Sequence, residues 1–280
     1  MQLIELAVKA ALKAGDLLSK PTERVEISHK GSIDLVTQYD RWSEEIICDV
    51  LQKSGISILA EEQGFLKGDS SHIDSNSTNT RWIIDPIDGT TNFSHGLPHY
   101  CISIALEIED ELVLGVIYDP NRKELYRAEK GKGTFLNDKR VFASSCDTLQ
   151  NALILTGFAY DRHEKSDFYM HYFQYFIQHA RGIRRAGSAA LDLAFVACGR
   201  ADAYWEFNLK PWDIAAGIVL VREAGGFVSS LNNTHKNPLD GHILVGSKHL
   251  QPTLHSSFEQ LHTRLHKNPI LQNKTNQIPC

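Results

Sequence analysis

Arg81-Trp82-Ile83-Ile84-Asp85-Pro86-Ile87-Asp88-Gly89-Thr90-Thr91-Asn92-Phe93 passes from an apolar run into two carboxylates split by a proline, then into glycine and two hydroxyls. Trp82, Ile83 and Ile84 read as the end of a buried strand, and Pro86 disfavours the α conformation at Asp85, so the strand is expected to stop there. Asp88 then falls on a turn, and Gly89 with Thr90 and Thr91 opens a helix whose unpaired amides and positive dipole end attract anions. One interpretation is plain turn chemistry, with Thr90 or Thr91 as a helix cap. The other is a cation site. Two carboxylates beside anion-binding amides repel each other and any anion unless a divalent metal sits among them.

Working outward, the chain has 280 residues, 42% of them apolar, enough for one large domain or two tightly packed halves. A formal net charge of -5 supplies no basic field for nucleic acid or an anionic bilayer, so a nucleic-acid or transcription partner has no support from charge. The five cysteines are widely spaced with no C-x-x-C pair, which fits reduced thiols in the cytoplasm. No apolar run is long enough to span a membrane, and the segment from Met1 to Lys20 reads as an amphipathic helix with Leu3, Ala7, Ala10, Ala14 and Leu17 on one face.

Toward the N-terminus, Lys30 to Thr37 reads as a glycine-containing loop entering a short strand, and Asp40 begins a helix to about Lys53. Ile56 to Ala60 is a brief strand that runs directly into Glu61 and Glu62. Residues 66–80 are polar and turn-forming, hence an exposed, mobile connection. Toward the C-terminus, Tyr100 to Ile108, Val113 to Tyr118 and Glu124 to Glu129 form an antiparallel meander. From Leu153 strands and helices alternate: a helix around Tyr169 to Gln178, another from Ser188 closed by Gly199, a strand over Ala201 to Phe207, and a helix opened by Pro211. Asp213 lies in the first turn of that helix. The halves divide near residues 140–150, giving a single domain over 1–265 with halves of roughly 1–145 and 146–265, and a polar tail over 266–280.

Glu61, Asp85, Asp88 and Asp213 thus stand at the mouths of strands or helices, and such hard oxygen donors select Mg²⁺ or Mn²⁺. His95 and His99 offer no better site, because Pro98 breaks any shared helical face. Trp82 to Phe93 and Trp212-Asp213-Ile214-Ala215-Ala216-Gly217, with Asp34 to Thr37, Asp40 and Glu61-Glu62 at the expected places before them, resemble the signatures of the inositol monophosphatase family of lithium-sensitive magnesium phosphatases. The likeness covers nearly the whole chain.

That resemblance implies a layered α/β (α+β) fold, an α-β-α-β-α sandwich shared with fructose bisphosphatases, usually as a homodimer. It implies Mg²⁺-dependent hydrolysis of myo-inositol 1-phosphate and related inositol monophosphates, with two to three ions and Mn²⁺ as a substitute. Glu61, Asp85 and the Ile87 carbonyl would hold one ion, Asp85, Asp88 and Asp213 a second, with a weaker third near Glu61. Thr90 would orient the attacking water with Asp40 behind it, and Gly89 and Thr90 would bind phosphate. Gly187, Ser188, Ala189 and Glu206 would receive the inositol ring. Lys30 matches a lysine of a mobile catalytic loop, although the stretch to Asp34 is one residue shorter than in the animal enzymes. Histidinol phosphate and fructose 1,6-bisphosphate remain alternative substrates, and a regulatory RNA- or transcription-associated binding role is the alternative of a different class.

Overall fold

The hydrophobic stripe of the first helix finds its partner in a sheet. The computed structural model describes residues 2–20, 24–29, 35–68, 79–231 and 237–267. Helix α1 (Leu3–Leu18) buries Ile4, Ala7, Ala10, Ala11, Ala14 and Leu18, and its small residues let it lie close to α2 (Gln38–Leu51). Both cover one face of an eight-stranded sheet.

That sheet contains β3 (Ser57–Ala60), β4 (Gly64–Leu66), β5 (Thr80–Asp88), β6 (Cys101–Ile108), β7 (Glu111–Asp119), β8 (Glu124–Glu129), β9 (Gly133–Leu136) and β10 (Lys139–Val141), in the order β10-β9-β8-β7-β6-β5-β3-β4. All neighbours are antiparallel except β3 and β5, which run parallel. A separate two-stranded ribbon joins β1 (Ile27–His29) to β2 (Leu35–Thr37). The second sheet holds β11 (Leu153–Thr156), β12 (Gly182–Arg184), β13 (Ala203–Glu206), β14 (Phe227–Ser230) and β15 (Ile243–Gly246), in the order β12-β11-β13-β15-β14.

Between the sheets lie α5 (Ala189–Ala197) and α6 (Pro211–Glu223), buried almost all round. Their small residues are what make this possible: a Cβ on Gly217 would come within 2.4 Å of Leu193, and one on Gly115 of β7 within 2.4 Å of the Ala216 carbonyl. Helices α4 (Ser166–His179) and α7 (Gln251–Lys267) close the outer face of the smaller sheet through an aromatic cluster of Phe168, Tyr172, Phe176, Trp205 and Phe258. The result is five layers, α-β-α-β-α, as the family resemblance implied. Trp82, fully buried under α2, illustrates how much one anchor carries: truncating such a side chain to alanine costs about 3–5 kcal/mol.

Several local expectations are corrected. β5 does not stop at Asp85; it continues to Asp88, which pairs with Cys101 after a bulge between Asp85 and Asp88. The bulge absorbs Pro86, which has no N–H for the ladder. α2 starts at Gln38, because Thr37 and Asp40 cap it reciprocally: Tyr39 N donates to Thr37 Oγ1 at 3.1 Å and Thr37 N to Asp40 Oδ2 at 2.7 Å. Leu66 belongs to β4 rather than to a loose connection, since Ile58 pairs with it; residues 69–78 of that connection lie outside the described residues. α7 carries the chain to Lys267, and the rest of the expected tail lies outside the described residues. No described helix is long and apolar enough to cross a membrane.

Candidate active site

The parallel pairing of β3 with β5 aligns Ala60 with Ile84, so the next residue on each strand, Glu61 and Asp85, emerge side by side. The two carboxyls are close enough for each charge to be felt by the other. Asp85 also accepts from the Ile87 amide at 3.0 Å, fixing the bulge. Burial first, then the charges of Glu61, Asp88 and Asp213, push its carboxyl well above the usual range.

Asp88 is held from across the molecule. Its Oδ2 accepts from Ser188 Oγ at 2.6 Å, from the Ala190 amide at 2.6 Å and from Cys101 Sγ at 3.8 Å. Burial still raises it, because those donors only partly offset the loss of water. Asp213, the third residue of α6, accepts from the Lys210 amide at 2.7 Å; burial and then the Asp88 charge push it well up.

These carboxylates line one cavity of about 500 Å³ that also takes in Ile87, Gly89, Thr90, Gly187, Ser188, Ala189 and Glu206. All the metal and substrate positions suggested by the sequence are therefore gathered, while Lys30 lies outside the described residues. Asp40 stays behind the wall: it is buried, its Oδ1 accepts from Thr90 Oγ1 at 2.9 Å, and burial raises its carboxyl. Thr90 Oγ1 also lies 3.0 Å from the Ile87 carbonyl. Neither threonine is the cap of the five-residue helix α3 (Thr90–Ser94); Gly89 takes that place at φ 101°, and a Cβ there would lie 3.0 Å from the His99 carbonyl.

The donor set suits a hard divalent cation. Asp85 and Asp88 are buried and Asp213 is half-buried, and none of them pairs with a described lysine or arginine; lost hydration is the chief influence on each, joined by neighbouring carboxylates at Asp85 and Asp213. Among the described residues no three His, Cys, Asp or Glu side chains stand drawn together as a ready cage. Mg²⁺ does not need one, since it keeps several waters and takes few protein carboxylates plus substrate phosphate. Glu61, Asp85, Asp88, Asp213 and the Ile87 carbonyl could hold such an ion.

Comparison with known proteins gives the family. The model of the inositol monophosphatase family matches residues 1–263. The chain belongs to that family. An inositol-1-monophosphatase of Mesorhizobium japonicum is 42% identical over 258 residues, covering 90% of this chain and 94% of its own. Nus factor SuhB of Escherichia coli K12 is 42% identical over 250 residues, covering 88% and 91%. The solved extragenic suppressor protein suhB of Bartonella henselae superposes with a TM-score of 0.82 at 39% identity, covering 91% and 98%. The inositol monophosphatase resemblance noted in the motifs thus extends to the fold and to residues 1–263.

Sequence reasoning missed several supporting groups. Glu44, four residues after Asp40 and buried on the same helix, accepts from the amides of Glu62 at 2.8 Å and Gln63 at 3.0 Å, so it fixes the turn that carries Glu61. Asn92 Nδ2 donates to the carbonyls of His99 at 2.8 Å and Ala186 at 3.0 Å, tying α3 to the Gly187 turn. Tyr204 donates to Glu206 Oε2 at 2.7 Å, and Asp192 lines the cavity one turn beyond Ser188. The spacing of four from Asp40 to Glu44 and from Ser188 to Asp192 was the available signal.

Proposed function

We propose that this chain is a Mg²⁺-dependent phosphoric monoester hydrolase whose substrate is myo-inositol 1-phosphate and related inositol monophosphates. The observation that carries the proposal is the set of carboxylates from three distant segments, buried or half-buried, that line one cavity with no described cationic partner for Asp85, Asp88 or Asp213, beside the amides that open α3. Glu61, Asp85 and the Ile87 carbonyl would hold one ion, Asp85, Asp88 and Asp213 a second, and Glu61 would border a weaker third; Mn²⁺ can substitute. When bound, Mg²⁺ lowers the pKa of water and neutralises charge that develops on the phosphoryl oxygens.

The protein's own part is positioning. With its proton directed to Asp40 Oδ1, the Thr90 hydroxyl keeps a lone pair to receive a hydrogen bond from the attacking water and aim it in line. Ser43 Oγ, 2.8 Å from the Pro86 carbonyl, steadies the bulge on which that geometry depends. The amides of Gly89 and Thr90 receive the phosphate. Gly187, Ser188 and Ala189 flank the ring, and Glu206 reads its hydroxyls. The free cysteines Cys48, Cys101, Cys146 and Cys198 accord with work in the cytoplasm, and lithium sensitivity and a homodimer complete the proposal.

The test is a substrate panel of inositol 1-phosphate, histidinol phosphate, fructose 1,6-bisphosphate and phosphoadenosine phosphate, assayed for phosphate release with Mg²⁺ and with added Li⁺. Release from inositol 1-phosphate, dependent on Mg²⁺ and suppressed by Li⁺, is expected; release from only the last compound overturns the proposal. A second role in transcription is favoured by the relatives called Nus factor SuhB. Asp88→Asn separates the two, because a cellular phenotype that survives loss of phosphatase activity comes from binding.

A further inference from the structure

Asp192 has no part in the mechanism above, yet it is the least expected residue in the cavity wall. It is 1% exposed, and its Oδ1 has no hydrogen-bond partner among the described residues. Buried carboxyl oxygens are normally satisfied, so an orphan that borders a cavity points to a group from outside the chain. Its position on the first turns of α5 is shared with Ser188, which is already engaged by Asp88.

Glu206 stands close enough for the two charges to oppose each other. The backbone yields room for Glu206: a Cβ on Gly157 would lie 1.9 Å from its Oε2. With Tyr204 satisfying that same oxygen, the pair forms an acidic end of the cavity, and Arg185 is the cation that acts on both carboxyls.

We propose that Asp192 is a specificity-determining residue that, together with Glu206, hydrogen-bonds neighbouring hydroxyls of the alcohol released from the phosphate. This rests on the phosphatase function proposed above. A hydroxyl both donates and accepts, so it suits a carboxyl in either protonation state. Burial holds the Asp192 carboxyl well above the usual range, which leaves it able to act as donor as well as acceptor. The same acidic end rejects an alcohol carrying a second phosphate there, because two carboxyls and an anion would share one desolvated space. The class selected is the neutral polyol monophosphate.

The experiment compares kcat/KM for inositol 1-phosphate and for p-nitrophenyl phosphate, which has no hydroxyls to read, in the full-length protein with Mg²⁺. In Asp192→Ala the preference for inositol 1-phosphate should fall at least roughly tenfold, mainly through KM, and in Asp192→Asn by less. Against a deoxy-inositol phosphate lacking the contacted hydroxyl, the unaltered protein should show the same loss, with little further loss in Asp192→Ala. An unchanged preference in both variants, whatever happens to absolute rates, overturns the assignment. If Asp192→Ala fails to fold, Asp192→Asn carries the comparison. Failure of the unaltered protein to hydrolyse either ester would instead remove the phosphatase function on which the assignment rests.

Discussion

Asp85 stands at the bulge near the end of β5 and Asp119 closes β7 in the same eight-stranded sheet, and both are buried, at 2% and 0% exposure. Their surroundings are opposite. Asp119 accepts from the amides of Asn121 at 2.9 Å and Arg122 at 3.0 Å and from the Arg122 guanidinium at 2.6 Å. Asp85 has one amide donor and three acidic neighbours. A carboxylate buried for structure brings its own compensation, whereas one buried for chemistry is left with an unmet demand for positive charge.

The contrast can be broken most sharply at Asp85. Asp85→Asn should lower Mg²⁺-dependent kcat/KM by roughly a thousandfold or more while leaving the metal-free melting temperature unchanged or higher, because it deletes repulsion. Phosphate release and calorimetry on the same preparation check both halves. Loss of stability in metal-free buffer would show that Asp85 resembles Asp119 after all. Next in size is the ion itself: Mg²⁺ at a hundred times its Kd should stabilise the protein by about 2.7 kcal/mol, and this gain should vanish in Asp85→Asn.

Glu206 sharpens the comparison through pH. Burial pushes its carboxyl from 4.5 up to about 7, against the smaller pull of Tyr204 and Arg185. The folded protein therefore binds a proton more tightly than the unfolded chain, so this contribution is full below about pH 4.5 and is lost as pH rises through about 7. Denaturant melts between pH 5 and 8 should show up to about 3 kcal/mol of such loss, reduced in Glu206→Gln. The smallest effect belongs to Asp119→Asn, which should destabilise by about 1–3 kcal/mol with catalysis retained. A fall in activity without a fall in stability would erase the distinction drawn between the two aspartates.

Much of this was legible in the sequence. Two motifs, Trp82 to Phe93 and Trp212 to Gly217, couple acids to strand and helix ends through proline and glycine, so the proposed ligand positions lie where the sequence already marks an element's end or start to within a few residues. What escaped is short or remote. β1, β4, β10 and β12 span three residues each, too few for a period-two pattern to register. The bulge in β5 depends on the partner strand and not on Pro86 alone. Glu44 and Asp192 look like ordinary helix-surface charges until the packing of α2 and α5 turns them inward. Their burial is a property of neighbours far away in sequence.

The clasp that Ser188 and Ala190 place on Asp88 spans separations of 100 and 102 residues. During synthesis, the acidic strand ends leave the ribosome long before the segment that will hold them. A nascent chain halted ahead of α5 would carry most of the charge with none of the enclosure, and long-range closure of this kind is slow. Competence should therefore arrive late and all at once, as the final layers dock.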